Sequence, residues 1–403
     1  MLDPDDVRAA RDRIGDAARH TPLQHSRHFS EMAGTRVHLK LENVQRTGSF
    51  KIRGATNRIR TLADDEQAEG VITASAGNHA QGVALAAANS GVDATVIMPE
   101  GAPISKVNAT RNYGATVRLH GEDYTAAQRR AHELAEEMGL TYVHAFDDEM
   151  VMAGQGTIGL ELLEDLPGLD TVVVPVGGGG LISGIATAIK DRAPEVRVVA
   201  VQARGASTVA DSLEKGSVQA IDDVDTIADG IATGQVGERP FEVIRERVDE
   251  VVTVSDAEIA SAVILLLERA KTLVEGAGAV PLAAILEDRF DFDPDEDVVA
   301  VLSGGNIDLN LLTTVIMRGL VDRGRYIKIN TVVKDKPGSL AELLDVVAEE
   351  RANIYAIQHD RTSKDIAMNA TEVELDLETR GHEHIESLLG RLRNEGFDVD
   401  VLV

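Results

Sequence analysis

A single lysine lies where its amine could do chemistry. Lys51 follows Gly48, Ser49 and Phe50 and is predicted to begin a helix, so nearby backbone amides can approach an anion. Arginines far outnumber lysines in this chain. A lysine in such a small-residue loop therefore suggests chemistry that only an amine performs, such as a Schiff base with a carbonyl. The alternative is an ordinary solvated lysine in a first helical turn.

Four consecutive glycines follow a predicted buried strand at residues 172–176. They open a further predicted helix, and the run consists of Gly177, Gly178, Gly179 and Gly180, followed by Leu181. Bare backbone amides at a helix terminus suit a phosphate. The spacing matches neither a dinucleotide fingerprint nor a Walker loop. The alternative is a tight turn without a ligand, although four glycines lose backbone entropy that a plain turn would not require.

Two more loops follow predicted strands. The first can hold a small carboxylate through its amides and a hydroxyl, and it consists of Ser75, Ala76, Gly77, Asn78 and His79. His79 alone is more typical of a helix-packing residue. The second loop spans residues 303–306 and begins with Ser303. Together the loops fit pyridoxal phosphate, with its aldehyde at Lys51, its phosphate at the glycine run, its phenolic oxygen at Asn78 and its ring nitrogen at Ser303.

The composition excludes several classes of protein. With 43% hydrophobic residues, the 403-residue chain is globular and long enough for two or three domains. The absence of cysteine rules out disulfides, thiolate metal sites and a cysteine nucleophile. The acidic amino terminus has no apolar segment and no apolar run reaches spanning length, so we expect a soluble cytoplasmic protein.

The net charge indicates which partners and which ionic conditions suit the protein. A formal charge of −27, from 67 acidic and 40 basic residues, argues against nucleic acid or anionic membranes as partners, because both require a basic face. Such an acidic excess with few lysines is typical of proteins adapted to a salt-rich cytoplasm, and it predicts a halophilic protein.

The order of predicted elements indicates an α/β fold followed by a smaller domain. Near-continuous apolar strands alternate with helices, which predicts parallel sheets covered by helices on both faces, with ligands at the carboxyl ends of the strands. The strands are predicted at residues 37–41, 70–74, 94–98, 116–119, 171–176, 196–201 and 298–302. Residues 325–403 follow a βαββαβ order, the ferredoxin-like arrangement. Its strands are predicted at 326–333, 353–359, 367–377 and 397–403, and its helices at 340–350 and 382–395.

Together these motifs resemble the two-lobed fold-type II pyridoxal-phosphate enzymes, and within them the threonine dehydratases (threonine ammonia-lyases). The stretches that carry the resemblance are residues 49–55, 75–79, 177–180, 227–232, 274–279 and 303–309. The resemblance implies a catalytic domain at residues 1–323, with a smaller lobe inserted at about 45–150. It also implies a regulatory ACT domain at residues 324–403.

The resemblance further implies the role of each site residue. Lys51 would hold the cofactor covalently and then act as general base. The cofactor contacts would be Phe50, Asn78, Gly177, Gly178, Gly179, Gly180, Leu181, Gly230, Glu275 and Ser303, and the substrate contacts would be residues 75–79. A neutral Ser303 at the ring nitrogen would favour elimination over transamination. Glu275 would lie near the ring, the alternative being a capping acid before a helix.

In the ACT-like domain the resemblance implies a site for an amino-acid effector. The loop after its first strand is expected to meet the beginning of its second strand. The residues concerned are Asp335, Pro337, Gly338, Ser339, Asn353 and Ile354. A branched-chain amino acid would be the effector, as in isoleucine synthesis. The alternative is an assembly module with an empty site, in a homodimer or homotetramer.

Three other functions compete with the dehydration of L-threonine and L-serine. Serine racemases that resemble this family have a second serine where this chain has Ala76, which has no proton to give. A 3-hydroxyaspartate dehydratase would need an extra cationic group, which the sequence does not identify. A catalytically inactive amino-acid sensor would not need Lys51. Some relatives also bind a monovalent or divalent cation, but where acidic ligands are expected this chain has Gln202, Ala206 and Thr208, so the metal stays open.

Overall fold

The computed structural model describes residues 2–361, 367 and 369–403. Its contacts divide the chain into two units, Met1–Asp308 and Leu309–Val403, which are described separately. Within the described residues, every helix is too short or too polar to cross a membrane.

The larger sheet of the first unit has six strands in the order β1-β2-β10-β7-β8-β9. Neighbouring strands are parallel except β1 and β2, which are antiparallel. The strands are β1 (Leu23–His25), β2 (Arg36–Lys40), β7 (Thr171–Pro175), β8 (Arg197–Ala203), β9 (Glu250–Val254) and β10 (Asp297–Val301).

The smaller sheet is inserted in the chain between β2 and β7. Its four strands are all parallel, in the order β5-β4-β3-β6. They are β3 (Val71–Ala74), β4 (Ala94–Met98), β5 (Thr116–Leu119) and β6 (Thr141–Tyr142). The predicted two-lobed α/β architecture is therefore confirmed.

Helices connect the strands of both sheets. They are α1 (Pro4–Ile14), α2 (Arg27–Ala33), α3 (Lys51–Arg60), α4 (Asp64–Glu69), α5 (Asn78–Ser90), α6 (Ile104–Asn112), α7 (Tyr124–Met138), α8 (Glu149–Asp165), α9 (Gly180–Arg192), α10 (Val209–Lys215), α11 (Glu238–Arg247), α12 (Asp256–Leu265) and α13 (Gly276–Leu286). Short 3₁₀ turns lie at Gly15–Ala17, Glu42–Val44, Arg204–Ala206 and Asp229–Ile231, and a π-helical turn, Leu266–Ala270, extends α12.

Burial explains why the central strands read as continuous apolar runs. All five residues of β7 are buried, because helices cover both faces of the sheet. Two of these helices, α8 and α9, pack closely through facing glycines. A Cβ atom on Gly184 would lie 2.3 Å from the carbonyl oxygen of Met152, and one on Gly156 would lie 2.7 Å from the carbonyl oxygen of Gly184. Glycine at both positions therefore allows backbone-to-backbone contact.

Three strands were not predicted. β6 is only two residues long, β1 is three residues long and mostly exposed, and four of the five residues of β9 are only partly buried. β1 and β9 form the edges of the larger sheet and β6 an edge of the smaller one. β1 and β6 are too short to show the apolar run that identifies a central strand, whereas β9 was missed although Val251, Val252 and Val254 are apolar.

The second unit begins with α14 (Leu309–Asp322) and then has the predicted βαββαβ order. Its elements are β11 (Tyr326–Lys334), α15 (Ser339–Glu349), β12 (Asn353–Asp360), β13 (Ala370–Glu378), α16 (His382–Asn394) and β14 (Val399–Val401). The sheet is antiparallel, in the order β12-β13-β11-β14. Part of the strand predicted at 367–377 lies outside the described residues. The predicted domain boundary at residue 323 stays a prediction.

Candidate active site

The predicted site residues of the first unit lie at the carboxyl ends of β3, β7 and β10, at the beginning of α3, in the Asp229–Ile231 turn and just before α13. The segment before Lys51 is joined to the loop after β10, because the amide of Phe50 donates to the carbonyl oxygen of Ser303 at 3.2 Å. Helix α5 packs against the same point, since a Cβ atom on Gly82 would lie 3.0 Å from the backbone of Lys51. The loop after β10 and the helix after β3 therefore meet at the segment that carries Lys51.

Lys51 is the first residue of α3, and its side chain is half-buried. Its Nζ donates to the carbonyl oxygen of Ala145 at 2.9 Å and lies 5.1 Å from the centre of the Phe50 ring. Burial lowers the pKa of Lys51 to about 8, while the Glu275 carboxylate opposes this effect. An amine with a lowered pKa is partly uncharged near neutral pH, which a nucleophile and a base both require.

A buried ionic network holds α3 at a point two residues beyond Lys51. Arg53 donates to both carboxylate oxygens of Glu42, at 2.9 and 2.7 Å, and to both of Glu161, at 2.5 and 3.0 Å. Lys40 lies 2.7 Å from Glu161. Burial alone would raise the pKa of Glu42, but the Arg53 guanidinium holds it below its usual value. The network ties β2, the Glu42–Val44 turn, α3 and α8 together. Sequence reasoning missed it, because partners so far apart in the chain leave no local pattern.

The four glycines form the turn between β7 and α9. Gly179 has a φ of 89°, which is in the left-handed region that favours glycine, and no side chain caps α9. A Cβ atom on Gly178 would lie 2.3 Å from the Phe146 ring, and one on Gly177 would lie 2.8 Å from the backbone of Ile231. These close contacts are a second reason for glycine here, so the glycines alone do not require a ligand. The uncapped amides are what suits a phosphate. Leu181, next in α9, packs its side chain into the core.

The predicted carboxylate loop ends at the beginning of α5, where again no side chain caps the helix. Ser75 accepts from the amide of Gly77 at 3.1 Å, and Ala76 is half-buried. His79 is only 4% exposed, and its Nε2 donates to the carbonyl oxygen of Val143 at 3.0 Å. Burial lowers the pKa of His79 to about 3, so its ring is neutral. The helix terminus therefore presents amides and neutral groups to a carboxylate.

Glu275 and Asn78 form the polar centre of the site. The Nδ2 of Asn78 donates to Oε1 of Glu275 at 2.8 Å, and its Oδ1 accepts from Asn306 at 2.8 Å. Burial raises the pKa of Glu275 to about 7, although Asn78 opposes this. Glu275 precedes α13 but makes no side-chain capping bond, so the capping alternative is wrong. A Cβ atom on Gly230 would lie 2.9 Å from Oε1 of Glu275, which brings Gly230 into the site.

Asn306 is a site residue that sequence reasoning did not single out. Its Nδ2 donates both to Asn78 and to the carbonyl oxygen of Thr47, at 2.6 Å. A Cβ atom on Gly48, whose φ is 70°, would lie 2.4 Å from Oδ1 of Asn306. Asn306 therefore orients the Asn78 amide and fixes the turn before Lys51. Its position in the Ser-Gly-Gly-Asn loop was the available signal.

The residues fit the predicted pyridoxal phosphate. Three buried polar atoms in the segments that meet at Lys51 have no hydrogen-bond partner among the described residues, and they are Thr47 Oγ1, Ser49 Oγ and His79 Nδ1. Ser303, which is also buried, follows β10 at the end of the site that Phe50 contacts. An amine, two uncapped helix termini and unpaired buried hydroxyls are what a phosphorylated aldehyde would use.

The positions discussed for a cation are occupied by a protein contact. Gln202 donates from Nε2 to the carbonyl oxygen of Ala206 at 3.2 Å, and its Oε1 accepts from the amides of Thr208 and Val209 at 3.0 and 2.8 Å. In the part of the chain that the structure describes, no group of three or more His, Cys, Asp or Glu side chains could hold a metal ion.

The predicted effector residues do not meet within one chain, which corrects that expectation. The loop with Asp335, Pro337, Gly338 and Ser339 follows the end of β11, where Lys334 pairs with Ala370. Asn353 and Ile354 begin β12, where Asn353 pairs with Glu378. Because Glu378 and Ala370 are opposite ends of β13, the two segments lie roughly 25 Å apart along the sheet. The prediction overlooked that β13 separates β11 from β12.

Comparisons with known proteins agree with this geometry. Residues 14–304 match the family model described as pyridoxal-phosphate dependent enzyme, and residues 325–396 match that of the ACT domain. An L-threonine ammonia-lyase of Geobacter sulfurreducens is 51% identical, over 98% of each chain.

Two solved structures are similar to the first unit. A threonine deaminase isoform of Solanum lycopersicum is 39% identical with a TM-score of 0.75, over 78% of this chain and 91% of that one. Maize serine racemase is 36% identical, also with a TM-score of 0.75, over 80% and 98%. The chain belongs to the pyridoxal-phosphate dependent enzyme family and has an ACT domain at its carboxyl end.

Proposed function

We propose that the chain removes water and ammonia from L-threonine by β-elimination, giving 2-oxobutanoate, and acts also on L-serine, giving pyruvate. The observation that carries this proposal is the half-buried Lys51 amine with its lowered pKa, together with the two uncapped helix termini of α5 and α9. The full-length similarity to a protein named L-threonine ammonia-lyase supports the choice of substrate.

The site residues divide the work of this reaction. Pyridoxal phosphate, when bound, supplies an electron sink for charge that develops at the substrate Cα. The amides at the beginning of α9 would hold its phosphate, and the amides at the beginning of α5 would hold the substrate carboxylate. Lys51 Nζ would take the proton from Cα. Ser303 would offer a neutral hydroxyl to the ring nitrogen, and Asn78, held by Glu275 and Asn306, would orient the ring.

Serine racemisation is the second candidate, because maize serine racemase matches the fold of the first unit. The side chain at position 76 argues against it. Ala76 lies between Ser75 and the amino terminus of α5 and has no proton to deliver to the opposite face of the substrate. We therefore place elimination first.

We further propose a regulated enzyme of isoleucine synthesis in the cytoplasm of a salt-adapted cell. The ACT domain supports control by a branched-chain amino acid. The net charge of −27 supports salt adaptation. Because the two effector segments lie at opposite ends of one sheet, a site that uses both must combine two copies of the chain. A homodimer or homotetramer would provide this pairing.

An assay of 2-oxoacid release tests the proposal. We expect release from L-threonine and, more slowly, from L-serine, but not from their D-forms. Lys51→Ala should abolish release and the visible absorbance of bound cofactor, whereas Lys215→Ala, which removes an exposed lysine bonded only to Gln219, should change neither. Ammonia release by Lys51→Ala would contradict the mechanism, and a wild-type chain without visible absorbance would favour the inactive sensor.

A further inference from the structure

A tight turn, residues 144–147, joins β6 to α8 and contacts both halves of the site. Its two ends are fixed independently of its middle. The Val143 carbonyl oxygen before it accepts from Thr73 Oγ1 at 2.9 Å and from His79 Nε2 at 3.0 Å. After it, Asp148 caps α8 by accepting from the amide of Val151 at 2.9 Å.

The His144 side chain bridges the middle of this turn, which Arg239 also contacts by donating to the carbonyl oxygen of Asp147 at 3.2 Å. His144 Nδ1 accepts from the backbone amide of Phe146 at 3.2 Å and from that of Asp147 at 2.8 Å. An imidazole nitrogen accepts only when it carries no proton, so the ring must be neutral with its proton on Nε2. The ring also packs edge-on against Phe146, with 4.6 Å between their centres.

The turn presents two groups to the site. The carbonyl oxygen of Ala145 accepts from Lys51 Nζ at 2.9 Å. The Phe146 ring lies against Gly178, where a Cβ atom would be only 2.3 Å away, and the backbone of Phe146 limits Gly180 in the same way. The amine of Lys51 and the glycine run are therefore both positioned by residues next to His144.

We propose that His144 is a positioning residue for the cofactor site. Its neutral Nδ1 accepts from two amides of the turn that directs the Lys51 amine and shapes the glycine run. The inference rests on the proposed role of Lys51. It adds a residue that acts through the Ala145 carbonyl oxygen and the Phe146 ring.

The charged groups around His144 agree with a neutral ring. Burial lowers the pKa of His144, Lys51 and His132 act in the same direction, and Asp147 and Asp148 oppose them. A proton on Nδ1 would face two N–H donors and would break both bonds. These two bonds should therefore be intact at high pH and lost as the pH falls through the lowered pKa.

Hydrogen–deuterium exchange of the full-length apoprotein tests the turn directly. In His144→Ala, we expect the amides of Phe146 and Asp147 to exchange about 10- to 100-fold faster, because each loses its acceptor. His144→Asn should restore protection, since an asparagine oxygen accepts from amides two or three residues further on. His132→Ala is the matched control, because it removes a ring stacked on Tyr142 at 4.0 Å and leaves the turn acceptor in place.

The same variants should separate positioning from stability. We expect His144→Ala to have the same melting temperature as the control but to bind pyridoxal phosphate more weakly. With L-threonine, its kcat should fall by a larger factor than its KM changes. The inference is overturned if His144→Ala exchanges like the wild type, or if His144→Asn is no better than His144→Ala.

If His144→Ala does not fold, nitrogen-15 chemical shifts of the wild-type imidazole decide. A proton on Nδ1 above the ordinary histidine pKa of about 6.5 would overturn the inference, and a proton on Nε2 alone would support it. Both measurements use the apoprotein without substrate. Failure of the proposed threonine activity would therefore leave these results unchanged. Failure of the His144 proposal would be visible in them directly.

Discussion

In the site, the pKa values of Glu275 and Lys51 are shifted towards each other. Burial raises the pKa of Glu275 to about 7 and lowers that of Lys51 to about 8. Desolvation destabilises the charged form of each group, whereas the attraction of the Glu275 carboxylate favours the charged amine of Lys51. Such shifted values are typical of sites that move protons.

The Glu275 shift predicts a pH dependence of stability. A folded-state pKa above the unfolded value of 4.5 gives stability that is fully present below pH 4.5 and is lost as the pH rises through about 7. Glu275→Gln apoprotein should therefore become more stable relative to the wild type over this interval, by about 3 kcal/mol in free energy of unfolding. Urea denaturation at several pH values measures this. Glu31→Gln, at an exposed site, should show no such trend. A constant difference between Glu275→Gln and wild type would contradict the shift.

The side chain at position 76 should decide whether the second face of the substrate can receive a proton. Ala76→Ser places a hydroxyl beside Ser75 at the beginning of α5, so we expect L-serine to be racemised as well as eliminated. Chiral chromatography of serine from cofactor-loaded enzyme measures D-serine. Ala80→Ser, deeper in α5 and fully buried, is the control and should form none. Undetectable D-serine from Ala76→Ser would mean that position 76 does not decide between the two reactions.

At the scale of elements, the sequence allowed prediction of those strands and helices that have a local residue pattern. Strands β3, β4 and β7 were found because continuous apolar runs mark strands that helices cover on both faces. Edge strands β1 and β6 were missed because they have only three and two residues and so show no such run. The same limit applies to the site. Lys51 and the glycine run have local signatures, whereas the acceptor role of His144 and the partners of Arg53 depend on residues brought together by folding.

The network around Arg53 predicts a large loss of stability when it is broken. Arg53 is 2% exposed, so Arg53→Met leaves Glu42 and Glu161 without their shared cation and should lower the free energy of unfolding by about 3–5 kcal/mol. Arg27→Ala breaks only the exposed pair with Glu31 and should cost less than about 1 kcal/mol. Urea denaturation compares the two variants. Equal small losses would show that the network does not anchor α3.

At the scale of the whole molecule, the charge of −27 predicts a response to salt. Many of the ion pairs lie at exposed side chains, where they contribute little, so repulsion among acidic residues should dominate. Raising the ionic strength from about 0.1 M to about 1 M shortens the screening length from about 10 Å to about 3 Å. We expect the melting temperature to rise over this range in potassium chloride, with choline chloride as a control for specific potassium binding. A flat or falling melting temperature would contradict salt adaptation.

The second site that we propose in the ACT domain would be assembled differently from the lysine site. The predicted effector residues lie at opposite ends of one sheet. An effector that uses both segments would bind only where two copies pair. Effector binding and self-association should therefore be coupled, and each should strengthen the other.

We therefore predict that isoleucine or valine changes the apparent affinity for L-threonine by roughly 5- to 150-fold, the usual range of allosteric coupling. A chain truncated near Arg323 should remain catalytic but lose this response.

Gly338→Ala should weaken the response to isoleucine or valine, because Gly338 has a φ of 100°, which a residue with a side chain rarely adopts. Gly390→Ala is the matched control, since a Cβ atom there meets open space in α16. Kinetics with each amino acid, combined with analytical ultracentrifugation, measure the response and the assembly together. The domain would serve assembly rather than regulation if the truncated chain still responded to isoleucine or valine, or if no branched-chain amino acid affected the intact chain. In either case, effector binding to the ACT domain would not be coupled to the reaction at Lys51.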